Sequence, residues 1–263
     1  MKTINSDACR AGAERGRAFT IVELLTVIAI IGILAAMLLP ALSAAKVQGM
    51  KTQAKLQIKD LVTAIQNYDS AYSRMPISSA AQSAVSSNCY SFGGVFQTSS
   101  AGTTWPTAPM AANYFPTNCD IIAILMDITT YPTNGAPTAN ANHQKNPQQT
   151  IFLNAKMSGD PTLPGVGPDL IYRDPWGNPY VITIDLNADN QCKDPLYSLK
   201  QVSQENGGSG YFGLVDPTDP TGTDNNFLYH GNVMVWSAGP DGKVDPGIGA
   251  KQNPNKDNIL SWQ

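Results

Sequence analysis

A single carboxylate, Glu23, stands at the head of an otherwise apolar run from Leu24 to Leu39. A charge at the centre of a membrane-spanning helix costs about 2.5–3.5 kcal/mol on insertion scales, so an acid in such a run calls for a partner, an amine or a proton. The short basic stretch Arg15-Gly16-Arg17 lies just before it and marks the side that stays cytoplasmic. A second group of oxygen side chains, Asp185, Asn187 and Asp189, recurs at alternate positions and continues into Gln191 and Asp194. Calcium loops of the EF-hand type start this way, but Asn190 stands where the turn glycine belongs and no Glu closes the loop. The group therefore reads either as a calcium loop or as a plain turn after a strand. Other chemistry is sparse. His143 and His230 share no metal-ligand spacing, and neither Cys-x-x-Cys nor G-x-S-x-G occurs. Gly247-Ile248-Gly249-Ala250-Lys251 lacks both the phosphate-loop spacing and the Ser/Thr after its Lys. Gln204 to Gly210 reads as a flexible Gly/Ser loop, and the scattered carboxylates form no general acid–base pair. The expectation is a protein that is not an enzyme.

The elements around Glu23 are dominated by one helix. Phe19 to Leu42 is a stretch of 24 residues, about 36 Å long as a helix against a bilayer core of about 30 Å. A secretory signal has a shorter apolar core with its cleavage site beyond it, and Glu23 has no place in one. Beyond the apolar stretch, Val47, Met50, Ala54, Ile58, Leu61, Ile65, Tyr68 and Tyr72 recur every three or four residues as one apolar stripe. Lys46, Lys51, Lys55, Gln57 and Lys59 fall largely on the other faces. A single helix from Phe19 to about Ser73 is expected, with Pro40 removing one donor from its ladder and Met75-Pro76 ending it. Residues 76–150 read as a loop-rich insertion, with a short strand at Ser91–Gln97 and a short helix over Cys119–Thr129, too short to cross a membrane. In residues 151–263, Tyr180–Ile184 and Asn232–Ser237 are β-branched and aromatic strands, the first preceded by a Pro/Gly/Asn turn at Asp174–Pro179. The fold class is α+β: a long N-terminal helix, membrane half 19–42 and amphipathic half 43–75, packed on a small antiparallel sheet with long loops.

The order Arg17-Ala18-Phe19-Thr20-Ile21-Val22-Glu23 resembles the leader junction of type IV pilins and type II secretion pseudopilins. That resemblance implies cleavage by prepilin peptidase between Ala18 and Phe19, with residues 1–18 as leader and an N-methylated Phe19. Gly16, Arg17, Ala18 and Phe19 would be the processing residues, and Phe19, Glu23 and Pro40 the assembly residues. The family usually has Gly before the cut, where this chain has Ala18. DPWGNPY at Asp174–Tyr180, WSAGPDG at Trp236–Gly242 and DNILSW at Asp257–Trp262 are similar to the C-terminal half of the major pseudopilin of type II secretion. Carried over, that likeness implies a Ca2+ site at the carbonyl of Ala238, the carboxylate of Asp241, a contribution from Lys243, and Asp257 with Asn258. Calcium takes six to eight oxygens, and Asp241, Asp257 and Asn258 offer that chemistry. Less favoured for the metal are Asp185, Asn187 and Asp189.

The implied function is a structural subunit of a type II secretion pseudopilus or type IV pilus-like filament. Its partners would be copies of itself in a helical filament, prepilin peptidase, an inner-membrane secretion assembly platform and membrane lipid. The helix would anchor it in the inner membrane with the head in the periplasm. The alternative is a membrane-anchored calcium-binding surface or adhesion protein with a pilin-type leader.

Composition agrees with an exported head. Only 14% of residues are charged. Removing four basic (Lys2, Arg10, Arg15, Arg17) and two acidic residues (Asp7, Glu14) with the leader takes 17 and 20 to 13 and 18, a net charge near −5. Such a balance carries no footprint for nucleic acid. Without Cys9, three cysteines remain: Cys89, Cys119 and Cys192. They allow one disulfide, and Cys89–Cys119 closes the shorter loop; three thiols are the alternative.

Overall fold

A computed structural model describes residues 20–84, 89–106, 113–206, 208–219, 221–222 and 224–263. The chain divides into two compact units, one ending at Lys46 and one covering Val47–Gln263. Helix α1, Ile21–Tyr72, runs for 52 residues and continues through Pro40, so the proline interrupts hydrogen bonding without ending the helix. In the first unit the apolar side chains from Ile21 to Leu42 are exposed, and the most apolar stretch of α1 has no buried residue.

In the second unit the same helix is half buried. Ala54, Ile58, Leu61, Ala64, Ile65 and Tyr68 are its buried residues, at the helical spacing expected from the sequence. Gln57 is the exception among the polar positions, since its Oε1 accepts from the Tyr180 hydroxyl at 2.7 Å. Among the described residues three further α-helices follow: α2 (Ser79–Ala84), α3 (Cys119–Leu125) and the single turn α4 (Lys200–Ser203). The strands are β1 (Cys89–Phe92), β2 (Phe96–Gln97), β3 (Thr104–Trp105), β4 (Tyr114–Phe115), β5 (Gly165–Val166), β6 (Tyr172–Arg173), β7 (Val181–Asp185), β8 (Gln191–Cys192), β9 (Gln204–Asn206), β10 (Ser209–Gly210), β11 (Tyr229–His230), β12 (Val233–Ser237) and β13 (Ile259–Leu260).

Five of them form the main sheet in the order β13-β12-β7-β1-β4. Its pairs are antiparallel except β1 with β4, which is parallel. The sheet is therefore mixed rather than purely antiparallel. The segment read as a loop-rich insertion supplies β1, β4 and α3 to the head.

Both faces of this sheet are buried. Ile182, Ile184, Val233 and Val235 join the core that contains the α1 stripe and α3. Their alternates Val181, Met234 and Trp236 join a second core with Phe96, Trp105 and Tyr197. A buried carboxylate ties this second face together. Asp194 Oδ2 accepts from Thr183 Oγ1 at 2.8 Å and Trp236 Nε1 at 2.9 Å, while its Oδ1 accepts from the Leu196 and Tyr197 amides. Burial pushes this carboxyl up, against four donors that favour its charge. The expected Cys89–Cys119 bridge is not formed: Cys119 Sγ lies 3.1 Å from Thr117 Oγ1 and accepts from Tyr131 at 3.4 Å, whereas the Cys89 thiol faces Cys192. The pairing of β1 with β7 brings Cys89 to the β7–β8 end of the sheet, a proximity that loop length alone does not show.

Candidate functional site

Two places carry the sequence-derived site residues, one in each unit. At the start of α1, Thr20 and Glu23 bond reciprocally. Glu23 Oε2 accepts from the Thr20 amide at 2.9 Å and from Thr20 Oγ1 at 2.7 Å, and the Glu23 amide donates to Thr20 Oγ1 at 3.2 Å. This is a capping box, which satisfies two of the amide donors that a helix start leaves without partners. Glu23 is exposed and occupied by its own helix end rather than by apolar neighbours. The sequence reading singled out Glu23 and missed Thr20, although Thr-x-x-Glu before an apolar run is the signal for this cap. The processing positions Gly16, Arg17, Ala18 and Phe19 lie outside the described residues.

The second place is built by the three C-terminal motifs, which the fold brings together. In the turn before β7, Asp174 Oδ1 accepts from the Trp176 and Asn178 amides, both at 2.9 Å, and its Oδ2 accepts from Ser237 Oγ at 2.6 Å. Asn178 Nδ2 reaches across to the Gly239 carbonyl at 3.0 Å. The turn thus holds the loop that follows β12. Over this loop passes the segment around Asp257, so close that a Cβ on Gly239 would collide with the Asp257 carbonyl, and Gly239 has a φ of +68°. Both constraints demand glycine there.

Asp241 and Asp257 line one surface cleft with Ser99, Lys243, Asn253 and Pro254. Burial, and then the Asp241 carboxylate, push the Asp257 carboxyl above its ordinary range. Asp257 Oδ1 is buried with no hydrogen-bond partner. Asp241 Oδ1 accepts from the Lys243 amide at 2.9 Å and shapes the turn. The other implied ligands sit differently. Ala238 is fully buried, and Asn258 is turned to the interior, its Nδ2 donating to the Tyr197 hydroxyl at 2.9 Å. Asp245, nearby, is engaged by the Ser99 and Gly247 amides. Among the described residues no group of three or more His, Cys, Asp or Glu is placed to hold a metal. What the cleft offers is two carboxylates, one of them with an orphaned oxygen.

The alternating set behaves as a turn. The Asp185 carboxylate accepts from the amides of Asn187, Ala188 and Asn190, and Asp189 accepts from Asn187 Nδ2 and the Gln191 amide. Each of these carboxylate oxygens thus already accepts a backbone or side-chain donor.

Residues 15–39 match the family model described as the prokaryotic N-terminal methylation motif. The match contains the junction and Glu23, so the chain carries a type IV pilin-like leader joined to an apolar helix. Searches among curated proteins and among solved structures find no match.

Asp174 yields a pH signature. Burial, outweighing its donors, raises its carboxyl to about 6. A folded pKa above the unfolded value means that the folded state binds more protons between about pH 4 and 6, so stability falls as pH rises through that window. Asp174→Asn keeps an acceptor for the two amides without the charge. Relative to the native chain, it should gain stability progressively from pH 4 to 7, by about 2–3 kcal/mol at the upper end. Urea unfolding of the two proteins across that range measures it, and a difference independent of pH would contradict it.

Proposed function

We propose that the chain is a structural subunit of a type II secretion pseudopilus or type IV pilus-like filament. Prepilin peptidase cuts it before Phe19, and it assembles with copies of itself through α1 on an inner-membrane secretion platform. Before assembly, α1 is held in the inner membrane by its apolar half, with the head in the periplasm. The observation that carries this reading is the methylation motif over residues 15–39, leading into an apolar helix whose side chains are exposed among the described residues.

In this reading the capping box has a second use. Cleavage leaves a free ammonium on Phe19, four residues before Glu23. In a staggered bundle the ammonium of one subunit neutralises the Glu23 carboxylate of the next, and Thr20 holds that carboxylate at the helix start until then. An unpaired charge in a low-dielectric bundle is costly, so pairing selects the register of assembly. Calcium has a place as a staple of the C-terminal loop. Asp241 and Asp257 would hold it, with Lys243 lining the same cleft, and it would relieve the repulsion between the two carboxylates. The orphaned Asp257 Oδ1 favours this cleft over the Asp185 turn, whose carboxylate already accepts three amides.

Two experiments test the proposal. Glu23→Gln keeps the capping box without the charge, whereas Glu23→Ala loses both. Both variants should insert and be cut, and filament yield should fall about tenfold or more in both, since each 1.4 kcal/mol is tenfold. Wild-type yield from Glu23→Gln would remove charge pairing from the account. For the metal, the full-length chain in detergent should melt higher in calcium than in chelator. A ligand at a hundredfold excess over its Kd adds about 2.7 kcal/mol. Asp241→Ala should erase most of that difference, and Asp185→Ala should preserve it. No effect of chelator, or a larger effect of Asp185→Ala, would overturn this site.

A further inference from the structure

Cys89 opens β1 and stands opposite Asp185 of β7. The turn after β7 then returns the chain as β8, which ends in Cys192. The Cys89 thiol donates to the Gln191 carbonyl at 3.2 Å and accepts from the Lys193 amide at 3.2 Å, so its sulfur is seated on the peptide groups flanking Cys192. Cys192 Sγ donates to the Thr183 carbonyl at 3.3 Å, on the same strand and two residues from the register partner of Cys89. Cys119 belongs to a different neighbourhood, with Thr117 and Tyr131.

From this juxtaposition we propose that Cys89 and Cys192 are a disulfide-forming pair, oxidised by a small-molecule or protein disulfide while the head folds. The Cys89 thiolate attacks one sulfur of the oxidant, forming a mixed disulfide and expelling one thiolate. The Cys192 thiolate attacks the Cys89 sulfur of that mixed disulfide and expels the second. Two protein thiols are oxidised, the oxidant disulfide is reduced to two thiols, and the two protons pass to the departing thiolates. The same exchange runs in the opposite order when Cys192 attacks first, since neither thiol is yet shielded while the chain is open. Both sulfurs are buried in the folded head, at 5% and 0% exposure, so exchange takes place before closure.

The bond would fasten β8, a two-residue strand paired with the equally short β11, to the main sheet. It closes a long loop, the case in which a cross-link restricts the unfolded chain most. Formation of the bond with glutathione disulfide requires neither leader cleavage nor assembly, so it stands or falls separately from the filament reading.

The full-length chain in detergent is unfolded, refolded with a glutathione and glutathione disulfide mixture, alkylated and digested for peptide mapping. The expected result is a Cys89 peptide linked to a Cys192 peptide, alkylated Cys9 and Cys119, and a melting temperature about 5 °C or more above that of the reduced chain. Cys119→Ser should keep the link and the shift. Cys89→Ser and Cys192→Ser should each lose both. Should those variants fail to fold, the map of the unsubstituted chain decides alone. Recovery of both Cys89 and Cys192 as alkylated thiols, or a link from either to Cys119, would overturn the proposal.

Discussion

Among the described residues, the apolar half of α1 presents a continuous exposed apolar surface. From Ile21 to Leu42 its large side chains, among them Ile28, Ile31, Leu38 and Leu39, are exposed. Apolar surface in water costs about 25 cal/mol for each Å2, so a stretch of this length needs a bilayer or a bundle of like helices around it. Glu23 sharpens the requirement. Its carboxylate is satisfied at the helix start by Thr20, yet it leads directly into the apolar stretch. Any environment that covers the helix must also accommodate that charge, and a neighbouring ammonium does so where lipid alone does not.

The second half of α1 meets the opposite condition. Its stripe from Ala54 to Tyr68 is buried and completes a core with the main sheet. The sheet is small, and its other face is covered by loops whose polar groups need partners. Asp194 supplies them there, binding Thr183, Trp236 and two backbone amides, while Asp174 binds its own turn and Ser237 at the end of β12. Each carboxylate costs desolvation and returns order to irregular chain. The C-terminal loop inherits its placement from the Asp174 turn, through Asn178 and Gly239, and this is how Asp257 comes to lie beside Asp241.

Much of this was legible in the sequence where the signal is local and periodic. The helical stripe appears as buried residues from Ala54 onward, and the strands at Val181–Asp185 and Val233–Ser237 lie within a residue of their expected places. The capping partner of Glu23 was missed, although Thr20 precedes it at the capping-box spacing. Long-range pairing was not legible. Strand β4 has two residues, joins β1 in parallel and has no alternation to mark it. The second core draws Trp105, Tyr197 and Trp236 from segments far apart in the chain. The same limit applies to the cysteines, because loop length favours Cys119 for Cys89 while strand register brings Cys192.

The account rests on α1 being retained whole, with a new N-terminus just before its capping box. Mass spectrometry of the N-terminal peptide, taken from membranes of cells with active prepilin peptidase, tests this most directly. The account predicts a peptide that begins at Phe19 and carries one added methyl group. An intact Met1, or a first residue beyond Leu42, would contradict it, since neither leaves an ammonium within reach of a neighbouring Glu23.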